Sequence, residues 1–431
     1  MSRAGHAGRG EGAGRAAKSR FSGVVGVGLA IESATAHLEV LVCGADGGCR
    51  AHLVEEVGMG HTRRLTPLIA EALARAQVAP RDLKWLAADL GPGSFTGVRV
   101  GLATAEALAL ASGARLLGAS SLASLAHGAG ARRALVVPLV PAGRRDLYAG
   151  FFRADADGRV TLLAAPRVGE PALVLAAAAE CRALLRDWPV RFVGPGAARE
   201  RGTLEAAHPG STEPAWRAEG LSARDLAAAA TLAAGPAGGL PAPGATLQPL
   251  YVRPAQAEER VRHLALAHIP VALRPLTADD VEAVVAIEQR VFPDPWTPEF
   301  FTSELGLPRV HARVAELEGR IAGYLVAWLG PGEGHLGNLA VIPDARRRGV
   351  ARLLLEELLE RARSIGVRSI ALEVRVSNFA AQALYRGYGF RLAGLRRGYY
   401  RESGEDALIM QWKDPRSPQR GNPGTRSHPE S

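Results

Sequence analysis

Between Gly235 and His268 the hydrophobic periodicity of this chain lapses, and that break decides how many cores it builds. Gly235–Gly244 is mostly Gly, Ala and Pro, a loop or domain edge. Leu250–Pro254 reads as a short closing segment, and Ala255–His268 is charged and mixed, like a linker. A different pattern opens at Val271. With 431 residues, 47% of them apolar, the chain is too long for one core and apolar enough for folded domains. The expected division is a disordered basic tail over 1–22, a first domain over 23–254, a linker over 255–269, a second domain over 270–413 and a disordered tail over 414–431.

In the first part, Val24–Ile31 reads as a strand with Leu38–Val42 as its hairpin partner. Leu65, Leu68, Ile69, Leu73 and Ala76 mark a helix over Thr62–Ala76. Leu83–Leu90 is a strand, and Gly97–Ser112 a small-residue helix ended by Gly113. Strands follow at Leu135–Val140, Leu147–Phe152 and Val160–Leu163, then a helix at Pro171–Leu185 and a strand at Val190–Val193. Such alternation predicts an α/β domain.

The second part is α+β. Strand Val271–Pro275 leads to helices at Thr277–Val291 and Pro298–Leu305, then strands at His311–Leu317, Arg320–Leu329 and His335–Val341. A helix at Gly349–Ser364, capped by Gly366, is followed by strand Ser369–Val374, helix Asn378–Tyr388 and a hairpin ending near Trp412. The sequence shows no internal repeat.

The formal charge of +9 suggests nucleic acid. Much of it lies in the tails, where Arg3, Arg9, Arg15, Lys18 and Arg20 stand against Glu11, and Lys413, Arg416, Arg420 and Arg426 against Asp414 and Glu430. Lysine occurs only at 18, 84 and 413, so the arginine excess reads as composition bias rather than a phosphate-binding face. Cys43, Cys49 and Cys181 have neither a disulfide-framework nor a zinc spacing and fit a reducing cytoplasm. The start mimics a signal peptide, with an apolar run over Phe21–Ile31 before Ala34-Thr35-Ala36, but the long Gly-laden basic part favours a buried strand. No run nears the ~20 apolar residues of a membrane span. A cytoplasmic location without membrane contact is expected.

Asn338–Leu359 carries the strongest chemical signal. A strand ends at Val341, and Pro343 cannot continue the ladder. Arg346-x-x-Gly349-x-Ala351 then opens a long amphipathic helix. The first amides of a helix lack internal partners and sit at its positive end. Small Gly349 and Ala351 admit an anion, and three arginines add charge, which makes a seat for a pyrophosphate. Alone, these six residues fit a solvated turn better. The context reverses that, because Leu372-Glu373-Val374-Arg375, Ser377-Asn378, Ala383-Leu384-Tyr385 and Gly389-Phe390 follow in order. Together with Pro295-Trp296-Thr297 and Tyr399-Tyr400, the region Val271–Lys413 resembles the GNAT acetyltransferases, and within them the RimI-type ribosomal-protein alanine N-acetyltransferases.

Acetyl transfer from a thioester to an α-amine of pKa ~8 needs a base, donors for the oxyanion and a proton for the leaving sulfur. Glu373, near a strand end, is the candidate base, directly or through water; otherwise it is a surface carboxylate paired with Arg375. Tyr385, on the next helix, is the candidate acid, or else packs in the core beside Leu384 and Phe390. The resemblance implies acetyl-CoA as cofactor. Amides of Leu339, Ala340 and Val341 would hold its acetyl arm, and those of Arg347, Arg348, Gly349, Val350, Ala351 and Arg352 its pyrophosphate. Asn378 is a further coenzyme ligand by resemblance and equally a helix N-cap. Every cysteine lies in the first part, so direct attack is expected rather than a cysteine-linked acetyl-enzyme, and no metal is expected. Trp296, Tyr399 and Tyr400 either line a peptide groove or fill the core. The implied acceptor is the N-terminal alanine of small ribosomal subunit protein eighteen; a lysine or a small amine competes with it.

In the first part, Gly91-Pro92-Gly93-Ser94-Phe95-Thr96-Gly97-Val98-Arg99 follows a strand and opens a helix. It lacks the Gly-Lys-Ser/Thr ending of a P-loop and the Rossmann spacing, and alone it reads as a tight, closely packed turn. With Leu29-Ala30-Ile31-Glu32-Ser33-Ala34-Thr35 and His61-Thr62-x-x-Leu65 it resembles the TsaB family (YeaZ, glycoprotease-like) over Val24–Pro254. That implies a two-lobed actin-like (ASKHA) domain, the non-catalytic dimerisation subunit in tRNA threonylcarbamoyladenosine synthesis at position 37. It also implies docking on the TsaD-type catalytic subunit beside the Gly91–Arg99 loop, with tRNA reached only through that complex. Metal-binding relatives carry paired His at i, i+4; here Leu65 follows His61, which reads as a helix-start residue. Glu32 stands where the family usually has Asp, and Pro141–Tyr148 departs from its Asp-Ala-Arg segment. Both departures weigh against the competing reading, an active metal-dependent hydrolase or carbamoyl transferase. Ala103, Ala107 and Ala111 form a small-residue face that fits either a partner helix or the domain's own sheet. The whole reads as an α/β bifunctional protein, a two-lobed actin-like domain followed by an α+β GNAT domain.

Overall fold

The computed structural model describes residues 26–58, 60–186, 188–211, 221–234, 247 and 271–415. The two expected tails (Asp414 and Pro415 apart), the linker over 255–269, Gly235–Gly244 and Leu250–Pro254 lie outside them. The described residues divide into two compact units, the first running through helix Ala223–Ala234 and the second opening at Val271; Thr161–Arg167 and Leu175–Pro189 fall with the second.

In the first sheet, β1 (Gly28–Glu32), β2 (His37–Cys43) and β3 (Cys49–Glu56) run antiparallel, and β4 (Trp85–Asp89) and β5 (Arg115–Ala119) join in parallel, in the order β3-β2-β1-β4-β5. The order recurs in a second sheet. There β6 (Ala134–Pro141), β7 (Leu147–Ala154), β8 (Val160–Gly169) and β9 (Val190–Val193) lie as β8-β7-β6-β9, with β9 parallel to β6. This duplicated order is the two-lobed actin-like plan. What recurs is strand order and not residue identity, which is why the sequence shows no repeat.

Strand β1 is buried along its length. Leu29 and Ile31 pack with Leu65, Leu68 and Ile69 of helix His61–Ala76 and with Leu102 of helix Phe95–Ser112. Ala30 and Trp85 pack with Leu226 and Ala227 of helix Ala223–Ala234 on the other face. Each large side chain so covered contributes roughly 1.5–3 kcal/mol. That two-sided cover fixes the ends of β1 and β4, where the first unit keeps its buried carboxyls.

The second unit holds a sheet of β10 (Val271–Pro275), β11 (Val310–Leu317), β12 (Arg320–Leu329), β13 (Glu333–Val341), β14 (Ser369–Arg375), β15 (Arg391–Tyr400) and β16 (Glu405–Lys413). Their order is β10-β11-β12-β13-β14-β16-β15, and β13 with β14 is parallel. Two irregularities shape it. Val326 pairs with Asn338 but Ala327 with Leu336, so Gly337 is an extra residue in β13. A Cβ at Gly337 would lie 2.2 Å from the Trp328 ring, so only glycine fits the bulge. The β13–β14 ladder ends at the same level, with Leu336 opposite Leu372. Past it, residues 338–341 have strand β12 on one side and no paired strand on the other.

Candidate active site

The helix Val350–Ser364 forms because Leu354, Leu355, Leu358, Leu359 and Ala362 recur on one buried face. Its ladder begins with Leu353 N–H donating to Gly349 O at 3.0 Å, and no side chain caps the turn before it. Gly349 and Arg347 both take left-handed φ, +86° and +67°. The first helical amides are thus presented uncapped, as a phosphate group requires. The arginines carry less spare charge than the sequence suggests. Arg348 bonds Glu318 at 2.6 Å and Arg352 lies 3.7 Å from Glu356, whereas Arg346 keeps its charge while its Nε donates to the neutral Val341 O at 3.3 Å. Leu339, Ala340 and Val341 lie on the stretch of β13 that pairs with β12 but not with β14, and Ala340 and Val341 are buried.

Glu373 is the first β14 residue beyond the last β13 pair. His335 Nε2 donates to its Oε2 at 2.7 Å, and Arg396 lies 3.0 Å from its Oε1. The His335 bond first, then the charges of His335 and Arg396, hold its carboxyl below the usual range against the opposing effect of burial. Its partner is therefore not Arg375, which pairs with Glu405. The His335 ring stacks on Trp328 at 5.8 Å and 29°, and Trp328 Nε1 donates to Glu304 at 2.7 Å.

Tyr385 is buried on helix Phe379–Gly387, its ring 5.6 Å from Phe390, and burial pushes its phenol well up. It is thus core-packed and a neutral proton donor at ordinary pH. Burial likewise pushes the Tyr400 phenol up to about 12, with Glu373 adding to it and Arg375 opposing it. Asn378 caps the same helix, its Oδ1 accepting from Ala381 N–H at 3.2 Å.

Two functional groups escaped the sequence reading. His335 is one. The other is Glu288, fully buried on helix Val281–Val291. Its Oε1 accepts from Asn338 Nδ2 at 2.7 Å and its Oε2 from Trp296 N–H at 2.8 Å. Burial raises its carboxyl to about 7. It joins the Trp296 loop to the bulged strand. Trp296 packs 4.3 Å from Phe300 and 5.9 Å from Trp328, forming an aromatic wall beside Gly337, whereas Tyr399 is exposed and stands 5.1 Å from Tyr400. The roles of His335 and Glu288 are both relations that only the fold makes visible. His335 alternates onto the face of Glu373, and Glu288 is a carboxylate amid Val284 and Ile287.

In the first unit, Gly91–Arg99 is a packing device. Ser94 Oγ caps the helix by accepting from Gly97 N–H at 3.2 Å, and a Cβ on Gly97 would lie 1.9 Å from the Ser33 carbonyl. Helix Phe95–Ser112 turns Leu102, Ala105 and Ala109 inward and Ala103, Ala107, Leu110 and Ala111 outward. The small-residue face is therefore not spent on the domain's own sheet. His61 begins its helix, buried, and its Nε2 bonds the Thr35 carbonyl at 2.8 Å. Glu32 accepts from Ala34 N–H at 2.7 Å and from Thr35 Oγ1 at 3.2 Å. Among the described residues no helix is long and apolar enough to cross a membrane.

Residues 281–390 match the family model of the GNAT acetyltransferases, and residues 55–177 that of tRNA N6-adenosine threonylcarbamoyltransferase. An uncharacterised protein of Mycobacterium leprae is 33% identical over 404 residues, covering 89% of this chain and 98% of that one. The [ribosomal protein bS18]-alanine N-acetyltransferase of Escherichia coli is 39% identical over 137 residues, 31% of this chain and 92% of that one. A crystal structure of an uncharacterised Pseudomonas aeruginosa protein with similarity to peptidase YEAZ covers 53% of this chain and 100% of its own, at 26% identity and a TM-score of 0.43.

Proposed function

The chain belongs to the GNAT acetyltransferase family, whose acetyl donor is acetyl-CoA, and on that premise we propose that its second unit acetylates the N-terminal alanine of a ribosomal protein. The relative from Escherichia coli acts on bS18, and the same acceptor is proposed here. The observation that carries the reading is the coincidence of three features at one level of the sheet: the Gly337 bulge, the end of the β13–β14 ladder and Glu373. Backbone groups of Leu339, Ala340 and Val341 on the open side of β13 bind the acetyl arm. Amides of Arg347, Arg348, Gly349, Val350, Ala351 and Arg352 bind the pyrophosphate, and Asn378 adds a contact while capping its helix. Bound there, acetyl-CoA supplies an acetyl group activated as a thioester. The protein's part is to orient the amine, take its proton at the Glu373 centre and supply one from Tyr385. Incubating the purified chain with acetyl-CoA and a bS18 N-terminal peptide tests this. The expected result is one acetyl group on the α-amine, read by fragment mass spectrometry, and none on a lysine-bearing peptide with a blocked N-terminus.

The first unit is proposed as the docking subunit for the catalytic protein of the tRNA threonylcarbamoyladenosine complex. The outward Ala103, Ala107 and Ala111 support it, since a small-residue face lets another helix approach closely. Co-purification from native cells tests it, with the threonylcarbamoyltransferase as the expected partner.

A further inference from the structure

We propose that His335, oriented by Glu373, is the group that takes the proton from the acceptor amine; this rests on the acetyltransferase reading above. The side chain of Glu373 is closed off. It is only 11% exposed, and each of its oxygens has a partner, His335 at 2.7 Å on Oε2 and Arg396 at 3.0 Å on Oε1. The imidazole is open, at 42% exposure, and stands just before the bulge where the cleft begins.

The bond between them selects the tautomer. A carboxylate only accepts, so Nε2 carries the hydrogen, and the lone pair lies on Nδ1. Imidazole is also a stronger base than a carboxylate by about two pKa units in general. The charged and titratable groups around it divide cleanly. Glu373 faces it from β14, Arg396 holds Glu373 from β15, and Glu304 fixes Trp328, the plate beneath the ring. Glu373 thus acts as a positioning residue that also stabilises the imidazolium.

The protons balance. Of the three on the acceptor ammonium, one remains on the amide nitrogen and one passes to His335 Nδ1 and on to solvent. The third offsets the proton that the departing sulfur receives. The C–N bond forms from the freed lone pair as the C–S bond breaks.

The test uses the full chain with acetyl-CoA and an Ala-started peptide. His335→Ala and His335→Asn are first checked for acetyl-CoA binding by calorimetry, so that a misfolded variant is set aside in favour of the other. The expected result is a kcat loss of about 100-fold or more, partly restored in His335→Ala by added imidazole. Glu373→Gln should lose less, and in kcat rather than KM, because its amide oxygen still accepts from Nε2 while the charge beside the imidazolium is gone. Histidine variants within about twofold of the wild type, beside an inactive Glu373→Gln, overturn the proposal and return the base to Glu373. A wild-type chain that binds acetyl-CoA and acetylates no Ala-started peptide removes the premise itself, a result distinct from the first.

Discussion

Glu32 and Asp89 end neighbouring parallel strands, one step beyond the last registered pair of Ile31 with Ala88, and both carboxyls are buried. Asp89 accepts from Gly91 N–H at 2.6 Å and from Ser121 Oγ at 2.8 Å. Burial raises Asp89 to about 7, and burial together with the Asp89 charge raises Glu32 well above its ordinary range. A raised carboxyl binds more protons folded than unfolded, so stability from this pair is fully present below the ordinary carboxylate range. It falls as pH rises from there through about 7. Glu32→Gln keeps an acceptor for Ala34 N–H and removes one charge. It should stabilise the chain above pH 7 by roughly 1–3 kcal/mol. Thermal melts of both proteins across pH 5–8 check this, and a variant less stable at every pH sinks it.

Asp280 shows the opposite sign. Arg274 grips it with bonds of 2.6 and 2.8 Å, and Thr277 N–H adds one at 2.9 Å. Those bonds, the Arg274 pair first, hold its carboxyl far below the usual range. The stabilisation is present above the unfolded carboxylate value near 4 and is lost as pH falls. Asp280→Asn should cost about 1–3 kcal/mol at pH 7. The gap to wild type, read from urea melts, should narrow toward pH 3.

Glu288 has two donors aimed at two acceptor oxygens, which a glutamine cannot satisfy. Glu288→Gln leaves either Asn338 Nδ2 or Trp296 N–H facing an amide NH₂. A buried unpaired donor costs roughly 1–3 kcal/mol. Because the bond spans the Trp296 loop and the bulged strand, the peptide KM should rise while acetyl-CoA affinity changes little. Equal losses in both would mean that the whole unit, and not the loop, has loosened.

Gly337→Ala should be severe for its size. The added carbon meets Trp328 at 2.2 Å and Trp296 at 2.9 Å, rings held in a packed aromatic cluster. Overpacking of this kind costs about 1–3 kcal/mol. Relief by flattening the bulge would let β13 and β14 zip further, closing the open side of residues 338–341. Loss of acetyl-CoA binding with the melting temperature largely kept would support that route.

How much of this was legible depends on what each residue does with its neighbours. The periodic helix His61–Ala76 and strands such as Arg320–Leu329 were legible because their apolar spacing matches their burial. Helix Ala223–Ala234 was missed because its face is alanine on alanine, with little contrast to set a period. Strand Arg115–Ala119 is five residues beside a glycine, too short for a pattern. The motif glycines marked where the chain turns but not that Gly337 shifts the register, since a bulge is a relation between two strands. Asp89 and Glu288 each look like a stray charge in an apolar run. Only the fold supplies the donors that let them stay buried.

Leu110, on helix Phe95–Ser112, tests the docking reading most cleanly because it contributes little to its own domain. Its side chain is 77% exposed, and the inward face of that helix is built from Val98, Leu102, Ala105 and Ala109. Leu110→Glu therefore removes almost no buried area, and exposed substitutions of this type usually change stability by less than about 0.5 kcal/mol. Within a helix–helix interface the same change buries a carboxylate without a partner, a penalty large enough to abolish a complex of ordinary affinity. The variant should melt with the wild type and fail to retain the threonylcarbamoyltransferase in co-purification. Retention by both proteins would place the partner surface on a different face of the first unit.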